Sequence, residues 1–584
     1  QRASFLLQTA AAPPPRRILA ISFKRDAATN LAARVRQRCH SAHASRFDSM
    51  TFDAFAKGLV DRFGQALPER WRPRPDYELM FPADKMFRGF LAQDASVPPK
   101  SVGTEADIRA IRVKTFERRH LLGTPLPEAG WPNPTPAQWA ADLFWQTSLH
   151  KGKKTFLSFT MLGRLAELIL RLNPMARTAL RLTYSHLFMD EFQDTTHVQY
   201  DLVRTIFRGS DTVVTAVGDN KQQIMRWAMA MDDPFAEFNA DFKATPTPLY
   251  NNYRSSPDLV RIQHVLAKAL DERSVEPVSK AAATVSGKSC AILEFSTVET
   301  EAGKLAGFIA TEKKRHDLCP RDFVLLVRQK AADYAQVLEP AFRRAGLALR
   351  NEAGPIGDVM LQELLAEEAS ELVVSVLRLA MTKRAGRYWS ECQDALGLLR
   401  GIEPEDEASQ AKLAKLLDTF VQNLAARYGA PPTEEDEART LVGDVLDFIG
   451  RDRLIAIHPA YGQGGWFEKV IEGIALHLHA STRDAEDWAK ALDSYEGLHA
   501  VPLMTIHKSK GLEYHTVIFV GLDDGAWWSF EADQIEATAG FFVAFTRAKQ
   551  RVVFTYCAAR GKRTKIAVLY DLLAEAGVTI KHVG

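Results

Sequence analysis

The sequence is poor in cysteine and contains no long hydrophobic run. Its five cysteines lie far apart and form no Cys-x-x-Cys pair, which argues against a zinc site or a disulfide framework and fits a reducing cytosol. No apolar stretch approaches the roughly 18 residues that a membrane span requires. We therefore expect a cytoplasmic protein without a membrane partner.

Net charge is also nearly absent. Lys and Arg number 74 against 72 for Asp and Glu, so the formal net charge is +2. A nucleic-acid site would therefore be a local basic groove and not a field over the whole surface. The length of 584 residues suggests about three to five domains.

A phosphate-binding P-loop is the third absence. It requires Gly-x-x-x-x-Gly-Lys-[Ser/Thr], because glycine amides must approach the phosphates closely. The nearest sequence is SGKS at 286–289, which has Ala282 in place of the first glycine and precedes a strand pattern. The stretches at 150–156 and 559–565 also lack that glycine, so none qualifies.

The chain does contain two sets of continuous apolar runs, which are typical of parallel strands covered on both faces. The runs and the polar residues that follow some of them lie at 16–23, 186–194, 212–223, 290–296, 323–328, 502–511, 515–522 and 551–557. A helix is predicted over 26–38 with Asp26 as its N-cap. Two stretches, 63–180 and 381–495, are predicted to be mainly helical insertions.

The acidic segment Asp190-Glu191-Phe-Gln193-Asp194 directly follows one of these strand patterns. An Asp there can hold hydrated Mg²⁺, and a Glu can polarise an attacking water. The structural alternative is a helix N-terminus, where acidic residues favour the helix dipole. Parallel sheets bind ligands at this carboxyl edge, which favours the functional interpretation.

Four further segments carry residues suited to phosphate or base contacts. A core position is the alternative for Trp227, and an isolated arginine is more often a surface residue. The candidates are Gln222, Trp227, Tyr253, Arg254, His507, Lys510, Gly511, Glu513 and Arg547, the last on a predicted helix before the final predicted strand.

Taken together and in this order, the five segments resemble the UvrD/Rep-type superfamily 1 DNA helicases. The family's DExQD, GDxxQ, NYRS, HxxKGLE and TRA motifs are matched at 190–194, 218–227, 252–255, 507–513 and 543–548. The segments ILAISFKRDAA and MTFDAFA are similar to its TFTNKAA and TFHSFA segments. The resemblance spans nearly the whole chain.

The resemblance implies an α/β protein with two RecA-like parallel-sheet domains, each carrying a mainly helical insertion. In the family's 1A/1B/2A/2B terms, we expect domain 1A at 1–62 and 181–245, 1B at 63–180, 2A at 246–380 and 496–584, and 2B at 381–495.

It also implies roles for single residues. Asp190 would bind Mg²⁺ and Glu191 would activate water, while Gln222 would sense the γ-phosphate. Arg254 and Arg547 would be finger residues from the second α/β domain. Tyr253 would stack on adenine, Glu513 would contact the ribose, and Gly511 would lie in the same nucleotide-binding segment. The single-strand path would be lined by Phe23, Thr51, Phe52, Trp227, His507 and Lys510.

The implied activity is that of an ATP-dependent, Mg²⁺-dependent DNA helicase or translocase. Its expected direction is 3′→5′ on single-stranded or partly duplex DNA, in repair, replication or recombination. A nucleoid-associated monomer or weak dimer is expected.

Some positions depart from the family pattern. Ala228-Met229-Ala230 replaces Arg-Gly-Ala, Asp53 replaces a histidine, and Asn220-Lys221 replaces Ala-Asp. These changes are expected to affect DNA unwinding and DNA binding more than ATP hydrolysis.

The absence of a P-loop leads to a further expectation about the chain. Residues 1–12 are predicted to form the helix that follows such a loop, so a preceding segment on the order of 20–40 residues is expected to carry it. The 584 residues alone are then expected to be nearly inactive as an ATPase. Two alternatives remain: an ATPase-deficient relative that binds DNA or a protein partner, and a helicase–nuclease subunit, which the short stretch after residue 549 disfavours.

Overall fold

The computed structural model describes residues 1–23, 25–226, 229–383, 386–403, 405–462, 465–483 and 485–583. The chain forms two compact units, Gln1–Thr247 and Pro248–Gly584. Among the described residues, no helix is both long and apolar enough to cross a membrane.

Unit 1 alternates strands and helices around a mainly helical middle part. Its elements are α1 (Arg2–Gln8), β1 (Arg17–Ser22), α2 (Arg25–Arg36), α3 (Ser41–Ala44), β2 (Phe47–Thr51), α4 (Phe52–Phe63), 3₁₀ turns at Gly64–Ala66 and Glu69–Trp71, β3 (Glu78–Leu79), α5 (Asp84–Ala92), α6 (Glu105–Arg109), α7 (Val113–Thr115), a π-helical turn at Phe116–Leu121, α8 (Pro136–His150), β4 (Phe156–Leu157), α9 (Phe159–Leu172), α10 (Pro174–Thr183), β5 (Tyr184–Met189), a 3₁₀ turn at Phe192–Asp194, α11 (His197–Phe207), β6 (Val213–Ala216), a 3₁₀ turn at Asn220–Gln222 and α12 (Pro234–Phe242).

Four strands of unit 1 form a parallel sheet in the order β2-β1-β5-β6. One continuous hydrophobic cluster joins strand residues such as Ile21 and Met189 to helix residues such as Trp145 and Leu168. The insertion therefore shares its core with the sheet, which holds the carboxyl ends of the strands in place.

Unit 2 contains a larger sheet and a helical region inserted after β11. Its elements are β7 (Asn251–Asn252), α13 (Pro257–Leu270), β8 (Val278–Ser279), β9 (Cys290–Phe295), α14 (Val298–His316), a 3₁₀ turn at Pro320–Asp322, β10 (Phe323–Val327), α15 (Ala331–Arg344), β11 (Ala348–Asn351), β12 (Pro355–Ile356), β13 (Val359–Met360), α16 (Leu361–Leu365), α17 (Glu368–Met381), α18 (Gly386–Leu399), α19 (Glu407–Arg427), α20 (Glu435–Ile449), α21 (Arg451–Ile457), a 3₁₀ turn at Pro459–Gly462, α22 (Trp466–Thr482), α23 (Trp488–Glu496), β14 (Ala500–Thr505), α24 (Ile506–Ser509), β15 (Tyr514–Phe519), a 3₁₀ turn at Phe530–Ala532, α25 (Gln534–Phe545), β16 (Ala548–Cys557), α26 (Ala567–Glu575) and β17 (Thr579–His582).

The sheet of unit 2 is parallel throughout, in the order β11-β14-β10-β15-β16-β9-β17. Its helical region has its own hydrophobic cluster. Helix α17, which the sequence division assigned to the sheet domain, packs in that cluster through Val373 and Leu377.

The predicted fold class is confirmed: the protein is α/β, with two parallel sheets that each carry a mainly helical insertion. Every predicted apolar run contains a strand. The N-cap prediction is wrong, because α2 begins at Arg25 and places Asp26 inside the helix. The domain boundaries stay a prediction.

Candidate functional site

The candidate residues of unit 1 follow its four strands at one edge of the sheet. Phe23 follows β1, Thr51 ends β2, Asp190 follows β5, and Gly218 lies just beyond β6. Because the strands are parallel, their carboxyl ends meet at this edge, where ligands bind in open α/β sheets. Backbone bonds fix the edge: Asp190 N–H donates to Ile21 O at 2.9 Å, and Phe192 N–H donates to Val217 O at 2.9 Å.

A chain of hydrogen bonds joins the acidic segment to the segment after β6. The Gln193 side chain donates from Nε2 to Glu191 Oε2 at 2.5 Å, and its Oε1 accepts the Asp219 N–H at 3.0 Å. Gln222 Nε2 then donates to Asp219 Oδ2 at 3.1 Å. Gln193 is fully buried, so it fixes the orientation of Glu191 relative to Gln222.

Glu191 also has an uncommon backbone conformation. Its φ is +51°, in the left-handed region that residues other than glycine rarely adopt. Such conformations cluster at functional sites, where the surrounding structure imposes them. A cavity of about 390 Å³ opens beside this turn, lined among others by Gln1, Arg34, Asp190 and Val217.

The network depends on the absence of a side chain at residue 218. A Cβ there would lie 2.2 Å from Gln193 Oε1 and 3.0 Å from Phe192 N. We expect Gly218→Ala to destabilise the fold by roughly 1–3 kcal/mol, the usual cost of overpacking. Thermal unfolding followed by circular dichroism measures this, at about 2–4 °C per kcal/mol.

Gly58→Ala is the matched control for that substitution. Gly58 lies inside α4, and a Cβ added there would have no atom within 4 Å, so alanine should stabilise the helix by about 0.5–1 kcal/mol. Equal melting temperatures for the two variants would contradict a close approach at Gly218.

In unit 2, one carboxylate connects two of the candidate segments. Glu513 accepts Arg254 Nε at 2.9 Å through Oε2, and Lys549 Nζ lies 2.8 Å from Oε1. The hydrogen bond from Lys549, together with Arg254, holds the pKa of Glu513 below its usual range despite partial burial. Arg254 also donates to Thr546 O at 3.1 Å.

The NYRS segment is held against the start of β16. Asn252 Oδ1 accepts the N–H groups of Arg254 and Ser255, both at 2.9 Å. Ser255 Oγ donates to Ala548 O at 2.7 Å, and Ser256 N–H donates to Lys549 O at 2.8 Å. This leaves Tyr253 turned outward with 76% of its surface exposed, as a base-stacking role requires.

Arg547 does not lie on a helix, contrary to the prediction from the sequence. Helix α25 ends at Phe545, so Arg547 occupies the turn before β16 and not a helix. Its side chain is almost fully buried, and its Nε donates to Val543 O at 3.0 Å. Gly511 has a φ of +90°, which explains a glycine in the turn between α24 and β15.

The predicted nucleic-acid residues differ in accessibility. Phe23 and His507 are half-buried, and Thr51 caps α4 by accepting Ala54 N–H at 3.2 Å. Phe52 packs in the hydrophobic core, so its ring does not face the surface as a stacking role requires, and Lys510 is mostly buried. Trp227 and Ala228 lie outside the described residues.

The residues of the SGKS sequence make hydrogen bonds within the sheet domain of unit 2. Lys288 Nζ donates to Thr579 Oγ1 at 2.9 Å, and Ser289 Oγ donates to Asp258. These contacts join the sequence to β17 and α13, which agrees with its rejection as a P-loop.

Sequence reasoning missed two residues of the site. Gln193 lies in the acidic segment but was given no role of its own, although it connects that segment to Asp219. Lys549 was not singled out, although it shares Glu513 with Arg254. A glutamine between two acidic residues was the available signal for Gln193. Nothing in the sequence pairs Lys549 with a residue 36 positions earlier.

Comparison with known proteins gives family matches in both units. Residues 1–243 match the family model of the UvrD/REP helicase N-terminal domain, and residues 360–559 match that of the UvrD-like helicase C-terminal domain. The two models together cover about three quarters of the chain.

Several curated proteins are similar to the chain at low identity. DNA helicase II of Haemophilus influenzae is 25% identical over 68% of this chain and 59% of its own length. The ATP-dependent DNA helicase Rep of Buchnera aphidicola is 21% identical over 72% of this chain and 70% of its own length. The Rep helicase of Escherichia coli is 23% identical over 69% of this chain and 65% of its own length. The chain therefore spans 59 to 70% of the length of these relatives. With both family models matched in order, this chain belongs to the UvrD/Rep family of helicases.

Proposed function

We propose that this chain contains the motor elements of an ATP-dependent DNA helicase or translocase that moves 3′→5′ on single-stranded DNA in repair, replication or recombination. The observation that carries the proposal is the hydrogen-bonded chain from Glu191 through the buried Gln193 and through Asp219 to Gln222. It places a carboxylate and a neutral amide, held relative to each other, at the ligand-binding edge of a parallel sheet.

The donor set at this edge fits a magnesium nucleotide. Mg²⁺ prefers oxygen ligands and is commonly held through one or two carboxylates plus phosphates, which is the role proposed for Asp190. The bound nucleotide supplies the transferable phosphoryl group. Glu191 accepts a proton from the attacking water, and Gln193 keeps its carboxylate oriented for that step.

Unit 2, taken by itself, also contains residues that are proposed to contact a nucleotide. Arg254 is a phosphate-binding arginine whose anionic partner in this structure is Glu513. A phosphate oxygen can accept the same Nε–H that the Glu513 carboxylate accepts, so Arg254 is able to exchange one anion for the other. Tyr253 is the adenine-stacking residue, and Arg547 is the second phosphate arginine.

Single-stranded DNA is the proposed track. The half-buried Phe23 and His507 supply a ring face and a polar group, which suit contacts that do not depend on sequence. With a net charge of only +2, binding should rest on a local groove and weaken with salt.

A gain-of-function experiment tests the proposal. The 584 residues contain no Gly-x-x-x-x-Gly-Lys-[Ser/Thr] sequence, so we expect ATP hydrolysis by this chain alone to be near background. We define the P-loop fusion as the same chain with the strand and P-loop of a UvrD/Rep-family relative joined before Gln1. DNA-stimulated ATP hydrolysis should appear in the fusion and disappear when its P-loop lysine is replaced by alanine.

The same experiment separates the alternative function. A folded fusion that binds single-stranded DNA but hydrolyses no ATP would overturn the motor proposal and favour an ATPase-deficient DNA-binding protein. Strong DNA-stimulated hydrolysis by the 584 residues alone would show that another group replaces the P-loop lysine.

A further inference from the structure

Helix α16, at the base of the helical region, contacts the short helix α24 at two points. Gln362 Nε2 donates to the backbone carbonyl of Lys508 at 3.1 Å. Lys508 Nζ lies 2.6 Å from Glu363 Oε1. Neighbouring residues of one helix thus hold both the main chain and the side chain of a single residue.

Helix α16 is fixed to the helical region on its other side. Leu364 is fully buried in the hydrophobic cluster of that region. Gly473 of α22 approaches it so closely that a Cβ there would lie 3.1 Å from Leu364 Cδ1. Because interiors are packed at this density, α16 is expected to move with α22 and not independently of it.

Lys508 belongs to the segment that carries several of the proposed ligand contacts of unit 2. His507 precedes it, Lys510 lies two residues later, and Glu513 ends the segment. Ser509 Oγ donates to Ile506 O at 2.7 Å, and Leu512 N–H donates to Ser509 O at 3.0 Å. A displacement of Lys508 would therefore pass to the rest of the turn.

We propose that Gln362 and Glu363 are positioning residues that hold segment 506–513 in its nucleic-acid-binding conformation. They act through Lys508 and do not touch the DNA themselves. The inference rests on the proposed function for its ligand, single-stranded DNA. It adds that packing in the helical region sets the conformation of a binding segment in the sheet domain.

The size of the effect follows from the exposure of the ion pair. The Lys508 and Glu363 side chains are 30% and 50% exposed, so solvent screens the pair strongly. Breaking it should weaken DNA binding about two- to fivefold. Gln362→Leu, which removes the donor to the backbone carbonyl, should weaken binding by a similar factor.

A charge exchange in the full 584-residue chain tests the proposal. Binding of a fluorescein-labelled oligothymidylate is measured by anisotropy at fixed salt. Glu363→Lys and Lys508→Glu should each weaken binding, and the double exchange should restore it to within about twofold. Failure of the double exchange to restore affinity would mean that Lys508 contacts DNA directly and would overturn the positioning role.

The control is a second ion pair of the same region that does not touch the segment. Lys469 of α22 and Asp358 lie 3.5 Å apart and are both largely exposed. Exchanging their charges should leave oligothymidylate binding unchanged. Equal losses in both exchanges would indicate a general effect of charge and contradict the proposal.

Hydrogen exchange gives a readout that does not need DNA. Backbone amides of 506–513 should exchange faster in Gln362→Leu and Glu363→Ala than in the unaltered chain. Unchanged exchange would overturn the positioning role even if affinity fell. If the unaltered chain bound no oligothymidylate, the proposed function would fail, and exchange would still decide whether α16 orders the segment.

Discussion

Glu191→Gln in the P-loop fusion is expected to lower DNA-stimulated ATP hydrolysis by about 10²–10⁴-fold, the usual contribution of a positioned general base. Glutamine keeps the size of the side chain and can still accept the hydrogen bond from Gln193 Nε2. It removes the carboxylate that is proposed to take the proton from water. The turnover number should fall while affinity for single-stranded DNA stays the same.

Glu128→Gln is the control for the loss of one carboxylate. Glu128 is exposed and belongs to the helical insertion, and it is not among the candidate site residues. Its replacement should leave hydrolysis within about twofold of the unaltered fusion. A decrease of less than about fivefold in Glu191→Gln would remove the basis for assigning water activation to this residue.

Gln193→Leu separates positioning from chemistry at the same site. Leucine removes both the donor to Glu191 and the acceptor of the Asp219 N–H, while it keeps most of the buried volume. The Glu191 carboxylate, proposed to be catalytic, remains but loses its fixed orientation, so the expected loss of hydrolysis is smaller than in Glu191→Gln. A loss as large as that of Glu191→Gln would show that the network and not the carboxylate alone limits the rate.

The sequence predicted the buried strands better than the edge strands. Strand β10 (FVLLV) is a continuous apolar run, and β5 (YSHLFM) and β15 (YHTVIF) each end in one, because neighbours cover both faces. Strand β2 (FDSMT) is half-buried, and β17 (TIKH), at the sheet edge, is exposed along its length, so neither gives an apolar run. They form strands because they pair with a neighbouring strand, and a short stretch of sequence does not contain that neighbour.

For the candidate site too, the sequence predicted local features better than features that depend on the tertiary fold. Motif spacing placed Asp190, Glu191 and Gln222 after the strands that carry them, because strand ends are a local feature. Burial depends on the tertiary fold, so the sequence did not indicate that Phe52 packs in the core or that Lys510 is mostly buried. The partners of Glu513 come from segments 259 and 36 residues away, beyond any local pattern.

Acid is expected to destabilise the helical region of unit 2 through His477. Its ring is buried beside that of Tyr495, and its Nε2–H donates to Tyr495 O at 2.9 Å. Burial is the largest cause that lowers the pKa of His477 from 6.5 to about 4, and the nearby Arg350 adds to it. The native state therefore keeps this ring neutral at a pH where the unfolded chain protonates it.

The sign of the effect follows from the bound protons. Between about pH 6.5 and 4 the unfolded chain binds a proton at His477 that the native chain does not, so stability is present above that window and is lost as pH falls. The slope is about 1.4 kcal/mol per pH unit, or about 3 kcal/mol across the window.

His477→Gln isolates this contribution from the other titrating groups. Glutamine can still donate a hydrogen bond to Tyr495 O but does not titrate, so the free energy of unfolding of the variant should depend less steeply on pH. The measurement is urea unfolding of both proteins at intervals between pH 7 and 4.5, and the informative quantity is the difference between the two curves. Parallel curves would mean that His477 is protonated in the native state, which its burial against Tyr495 and beside Arg350 disfavours.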